Sequence, residues 1–120
     1  MRNFRKLIVW QKSMELFVEV YNLSKLLPPE EKFNLVVQIR KDVVSISSNI
    51  AEGCAKSTDA HLRKFLEDSI GSAFELESQL IGITLVFPHF KDDVEKIFPL
   101  LYEIQKMLNA FSETLKTKID

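Results

Sequence analysis

Four stretches of the chain carry apolar residues at alternating spacings of three and four, the period of one face of an α-helix. The cleanest runs Leu62, Leu66, Ser69, Ala73, Leu76, Leu80, Ile83, Phe87, and Pro88 closes it. Val94, Ile97, Leu101, Ile104, Leu108, Phe111 and Leu115 repeat the rhythm. Upstream, Val36, Ile39, Val43, Ile46 and Ile50 follow it, flanked by Phe33, Val37, Val44 and Ala51. The first stretch has two adjacent stripes: Trp10, Met14, Phe17, Tyr21, and Val9, Leu16, Val20, Leu23, Leu27. These patterns predict helices at about 7–27, 30–53, 58–87 and 92–117. No alternating strand pattern competes, since Ser45–Ser48, the nearest to one, lies inside an unbroken helical period.

The punctuation between the stretches agrees. Pro28-Pro29 stops the first helix, because proline disfavours helical backbone in the residue before it and has no N–H to donate. Pro29 or Glu30 opens the second, with acids at 30 and 31 suiting the positive end of the helix dipole. Gly53 is the expected stop, in left-handed backbone. Ser57 or Thr58 is the expected cap of the third, with Asp59 in its first turn. Heptad-like faces in successive segments joined by short turns predict an all-α fold, an antiparallel up-down-up-down four-helix bundle. All 120 residues fall in one domain, with residues 1–6 as a loose basic arm.

Each residue turns a helix by about 100°. On that wheel the second helix is apolar over roughly half its circumference. Gln38, Lys41, Asp42, Ser45, Ser48, Asn49 and Glu52 fill the other half and are expected to point away from its core. Arg40 and Ser47 fall inside the apolar arc. Arg40 can reach out along its stem, and Ser47 can bond a carbonyl one turn back. The third helix sets Gly71, Ser72, Glu75, Ser78, Gln79 and Gly82 opposite its stripe, with Ile70, Phe74, Ile81 and Leu85 widening the apolar arc. Interior glycines cost a helix about 1 kcal/mol each and often mark close backbone approach. Wide arcs beside small residues suggest a subunit interface, formed by Gln38, Ser45, Ser48, Asn49, Glu52, Gly71, Ser72 and Glu75.

Charge changes the picture only locally. The net charge of −1 draws the chain toward neither nucleic acid nor anionic membrane. Residues 1–12 nonetheless carry four cations and no acid, and residues 58–90 carry five acids against two cations. One cysteine, Cys54, excludes an internal disulfide and points to a reducing, cytoplasmic setting. No secretory leader pattern and no run of about 18 apolar residues is present, so no membrane association is expected.

Several residues also carry a resemblance: Leu7 with Val9-Trp10-Gln11, Tyr21, Gln38-Ile39-Arg40, Ser45-Ile46, Ser48-Asn49-Ile50-Ala51-Glu52-Gly53, Phe65-Leu66, Gly71-Ser72, Glu75-Leu76-Glu77 and Gln79-Leu80. Over residues 7–80 the chain resembles the four-helix-bundle proteins related to the open reading frame of bacterial 23S rRNA intervening sequences. The resemblance implies an antiparallel four-helix bundle in a ring-like homo-oligomer, a pentamer, with no established enzyme activity and a working association with nucleic acid. Asn34, where the family commonly has glycine, Lys41 for arginine and Ser47 for proline depart from its pattern. They weaken an arginine-rich site and leave the fold untouched.

The residues themselves support no reaction. Di-iron bundles need Glu-x-x-His pairs, and neither His61 nor His89 follows a Glu three residues earlier, so no metal or other cofactor is expected. Gly53, Gly71 and Gly82 are too far apart for a phosphate loop, and Cys54 has no histidine nearby in sequence. The chain therefore reads as a non-enzymatic homo-oligomer, its nucleic-acid contacts drawn from Arg2, Arg5, Lys6, Lys12, Arg40 and Lys41. The alternatives are a scaffold that binds another protein, and an enzyme with an inter-subunit site lined by Glu52, Glu75 and Arg40.

Overall fold

The computed structural model describes residues 2–119, together with all side chains except that of Ile119; Met1 of the predicted arm and Asp120 lie outside the described residues. Among them are five helices and no strand: α1 (Ile8–Ser24), α2 (Leu35–Cys54), α3 (Asp59–Val86), α4 (Lys91–Glu95) and α5 (Phe98–Ile119). Short 3₁₀ turns at Phe4–Lys6, Pro29–Glu31 and Pro88–Phe90 join or precede them. The four long helices pack in a closed cycle, α1 on α2, α2 on α3, α3 on α5 and α5 on α1, while α4 lies against α3. The core is the set of stripes read above. Leu16, Val20, Ile39, Val43, Ile46, Ile50, Leu66, Leu76, Leu80, Ile83, Leu101, Ile104, Leu108 and Leu115 are all fully buried. Phe87 and Phe111, which continue those stripes in sequence, are only partly buried.

Two predicted helices are interrupted. The stretch expected to run unbroken over 30–53 begins as the Pro29–Glu31 turn and starts again at Leu35. Asn34 leaves helical geometry at φ −127°, ψ −96°, and its side-chain amide donates to the Glu31 carboxylate at 3.3 Å. The stretch expected over 92–117 divides into α4 and α5. Pro99 explains the division: it has no N–H for the Glu95 carbonyl, and its ring excludes a carbonyl four residues back. The first helix ends at Ser24 rather than 27, its last residues closing as turns in which Leu26 and Leu27 donate to Leu23 and Ser24.

Thr58 is the cap of α3, accepting from the His61 amide at 3.2 Å. Gly53 is not a left-handed stop. No described residue has positive φ, and α2 continues through Gly53 to Cys54. Gly53 instead lets α3 approach: a β-carbon there would lie 2.9 Å from both Leu62 Cδ1 and Phe65 Cβ. Gly71 and Gly82 meet nothing within 4 Å of an added β-carbon, so the close approach expected at them is not made within this chain. Residues 2–6, expected as a loose arm, are tied down. The Arg2 amide donates to the Cys54 carbonyl at 3.0 Å, Asn3 caps the 3₁₀ turn, and Phe4 packs edge-on against Trp10 at 5.0 Å.

A polar seam between the second and third helices

The hydroxyls of Ser45 and Ser72 meet across α2 and α3 at 2.8 Å. Asn49 donates its side-chain amide to the Ser45 carbonyl at 2.9 Å and to the Ser45 hydroxyl at 3.0 Å. Accepting from Asn49 leaves the Ser45 hydroxyl hydrogen free for Ser72. Beneath this chain the buried Ser69 hydroxyl donates to the Ile46 carbonyl at 2.8 Å. These contacts fix an antiparallel register between the two helices. It sets residue 42 opposite residue 75, one turn from the serine pair.

Asp42 is the least expected member of the seam. Its side chain belongs to the polar half of the helical wheel, yet the residue is only 4% exposed. Its Oδ2 is buried and has no hydrogen-bond partner, and the same holds for Gln79 Oε1 on α3. Burial, first, and then the neighbouring Glu75 carboxylate push the Asp42 carboxyl up from 3.8 to about 6, against the opposing pull of Gln79 and Lys41.

The predicted interface residues therefore separate into two groups. Ser45, Asn49 and Ser72 are half-buried and serve the α2–α3 contact inside the chain, with exposed Glu75 beside Asp42. Expecting Ser45 and Asn49 to face outward was wrong, because α3 covers that flank of α2. Gln38, Ser48, Glu52 and Gly71 remain on the surface. Sequence reasoning missed Asp42 and Gln79 as members of the seam. The available signal was their position at the edge of each polar arc, one turn from Ser45 and about two from Ser72.

The predicted nucleic-acid contacts do not form one patch. Arg2 pairs with Asp59 at 3.2 Å and lies over the Phe111 ring. Lys12 bridges to Glu103 of α5 at 3.1 Å. Arg40 donates to the Ser24 hydroxyl at 2.8 Å and stacks over Tyr21 at 4.7 Å. Arg5, Lys6 and Lys41 are exposed. Arg40 and the Cys54 end of α2 are about 21 Å apart by helical rise, so Arg2 and Arg40 occupy separate regions. Arg40 and Glu75 also flank opposite sides of α2 and do not converge with Glu52 within the chain.

Burial pushes the Cys54 thiol up, with Arg2 opposing, which disfavours the nucleophilic thiolate. Among the described residues no group of three or more His, Cys, Asp or Glu side chains is placed to hold a metal ion. No described helix is long and apolar enough to cross a membrane. An open groove of about 390 Å³ beside Leu23, Leu26 and Ile97 is lined by Glu19, Asn22, Asp93 and Lys96, and none of the predicted site residues borders it.

The model of the 23S rRNA-intervening sequence protein family matches residues 5–110. The chain belongs to that family. A comparison with curated proteins returns no match. Among solved structures, the chain is similar to a protein of unknown function from the S23 ribosomal protein family of Bacteroides thetaiotaomicron VPI-5482. That similarity has 27% identity and a TM-score of 0.80, and it covers 88% of this chain and 98% of that one. The matched range runs from the first 3₁₀ turn through α4 and into α5 as far as residue 110.

Proposed function

We propose that this family member is a non-enzymatic, self-associating protein whose four long helices form an up-down-up-down bundle, assembled as a ring-like homo-oligomer, a pentamer. The reading rests on the outer surface of α3. Phe74, Ile81 and Leu85 share one stripe there and are 59%, 44% and 76% exposed. Tyr102 of α5, stacked on Phe98 at 5.5 Å, extends it. The α1–α2 side of the helix cycle carries a second, smaller apolar surface, where Val37 is exposed beside half-buried Phe17, itself stacked on Tyr21 at 4.9 Å. Two apolar sides on opposite flanks suit a heterologous contact, in which the front of one copy meets the back of the next and the ring closes. The closed helix cycle supports the bundle topology. The resemblance described above supports the subunit number. The test is the mass of the purified chain in solution, with Phe74→Asp/Leu85→Asp as the disrupting variant.

A second reading, association with RNA, is favoured by charge at one end of the molecule. Arg5 and Lys6 lie in the 3₁₀ turn there, and Lys116 and Lys118 lie in the last turn of α5. The segment Lys6–Val9 borders Met107 and Phe111, which brings both groups to the same end. Assembly would repeat that end around an axis and concentrate charge that one chain lacks. Backbone binding of this kind weakens steeply with salt. Anisotropy of a labelled RNA stem-loop should report binding at about 50 mM salt that fades with added salt and with Arg5→Glu/Lys6→Glu. No binding at low salt would end this reading.

A further inference from the structure

The seam between α2 and α3 contains a chemical imbalance. Asp42 Oδ2 and Gln79 Oε1 are both acceptors, both buried and both without a donor. A third acceptor-bearing group, Glu75, lies opposite Asp42 in the register set by Ser45 and Ser72. An amide can exchange its oxygen and nitrogen by rotation, so the Gln79 NH2 can donate toward Asp42, but a neutral amide removes none of the charge on the two carboxylates. The buried Asp42 carboxylate and the exposed Glu75 carboxylate beside it still repel. The other groups bearing on Asp42 are few. Lys41 is its neighbour on α2, and it is exposed. On α3, Asp68 is about two turns from Glu75. From the opposite flank, α1 meets α2 through Ser24 and Tyr21 at Arg40. The 3₁₀ turn at Phe4–Lys6 also packs on α2, and Arg2 just before it reaches the far end at Cys54.

We propose that Asp42 and Glu75 hold one proton between them, carried on the buried Asp42 carboxyl and donated toward Glu75, and that this proton fastens α2 to α3. The protonated Asp42 supplies the missing donor, the pair then bears one negative charge instead of two, and the proton comes from and returns to solvent. The direction of the Asp42 shift agrees. An Asp whose carboxyl is raised in the folded chain binds a proton that the unfolded chain has released. Its stabilising effect is complete below about pH 4 and is lost as pH rises through about 6. This is the reverse of the usual carboxylate, whose pairing is lost in acid. The seam is thus a pH-responsive fastening: closed in mild acid, loosened at neutral and alkaline pH.

Thermal unfolding of the full chain tests it. Asp42→Asn keeps the shape and supplies a permanent donor. It should match wild type near pH 3.5 and exceed it at pH 7.5, by on the order of 5 °C. Equal Tm differences at the two pH values would overturn the proposal. Carbon-detected NMR of wild-type side-chain carboxyls gives a readout independent of any variant's folding. One Asp carboxyl should titrate near 6, and a spectrum in which every Asp titrates below about 5 would overturn it. A Tm that rises with added MgCl₂ or CaCl₂ at pH 7.5 in wild type, but not in Asp42→Asn, would overturn it too, by showing that the acceptors hold an ion instead.

Discussion

Gly53 and Phe65 approach so closely across α2 and α3 that a β-carbon on Gly53 would lie 2.9 Å from Phe65 Cβ. The same carbon would also lie 3.3 Å from the Leu62 backbone carbonyl. Leu62 Cδ1 can rotate away; the Phe65 β-carbon and the carbonyl move only with α3 itself. Gly53 is therefore a packing glycine at the foot of the hairpin, set where the short connection to Thr58 forces the two helices together.

Gly53→Ala should accordingly destabilise the protein by about 1–3 kcal/mol, the usual cost of overpacking. Gly71→Ala and Gly82→Ala should do the opposite. Both residues are within α3 with open space around them, and alanine is the better helix former by up to about 1 kcal/mol. Urea unfolding of the three variants checks the contrast. A Gly53→Ala protein as stable as wild type would remove the close approach. The two α3 variants are compared in the Phe74→Asp/Leu85→Asp background, where no second copy covers their face, and a strong loss of stability there would contradict the open space around them.

Arg40 ties the second helix to the first. Its guanidinium donates to Ser24 and lies over Tyr21, so one side chain makes both contacts. Arg40→Ala should cost about 1–2 kcal/mol, from a charged hydrogen bond and a cation–π contact. A double-mutant cycle with Tyr21→Leu should return a coupling of about 0.5 kcal/mol or more. Strict additivity would mean that the stacking contributes nothing in solution.

Ser69 is buried in an otherwise apolar stripe, and its hydroxyl donates to the Ile46 carbonyl. Ser69→Ala leaves that carbonyl its own helical bond and removes one inter-helix bond, so the expected cost is about 1 kcal/mol. Ser69→Val, which adds bulk and no donor, should cost more. Equal Tm values for Ser69→Ala and Ser69→Val would show that the site has room to spare.

The helical stripes predicted the long helices and nearly every core residue, because burial on one face imposes a period on composition and no strand pattern competed. Helix breaks were harder to see. Asn34 and Pro99 each lie within an apolar rhythm that continues through them, and the period alone does not register a lost N–H or a side chain that bonds backward. The polar seam was legible only as a list of polar letters. Turning Ser45 and Asn49 inward requires knowing which neighbour covers that flank of α2, a tertiary fact. The register that pairs Asp42 with Glu75 follows only once one cross-helix contact, Ser45 with Ser72, is known. Gly53 was correctly read as special, but for the wrong reason: its value is the missing side chain, while its backbone is ordinary helix.

In the proposed assembly the exposed apolar stripe of α3 is covered by a second copy of the chain. Light scattering coupled to size exclusion, from about 1 to 100 μM, tests it most directly. The expected result is a species of several chain masses, five times 13.9 kDa for the pentamer, that falls to a single chain in Phe74→Asp/Leu85→Asp with its helical circular dichroism retained. A wild-type protein that stays at 13.9 kDa across that range, or a variant whose mass does not change, would contradict it.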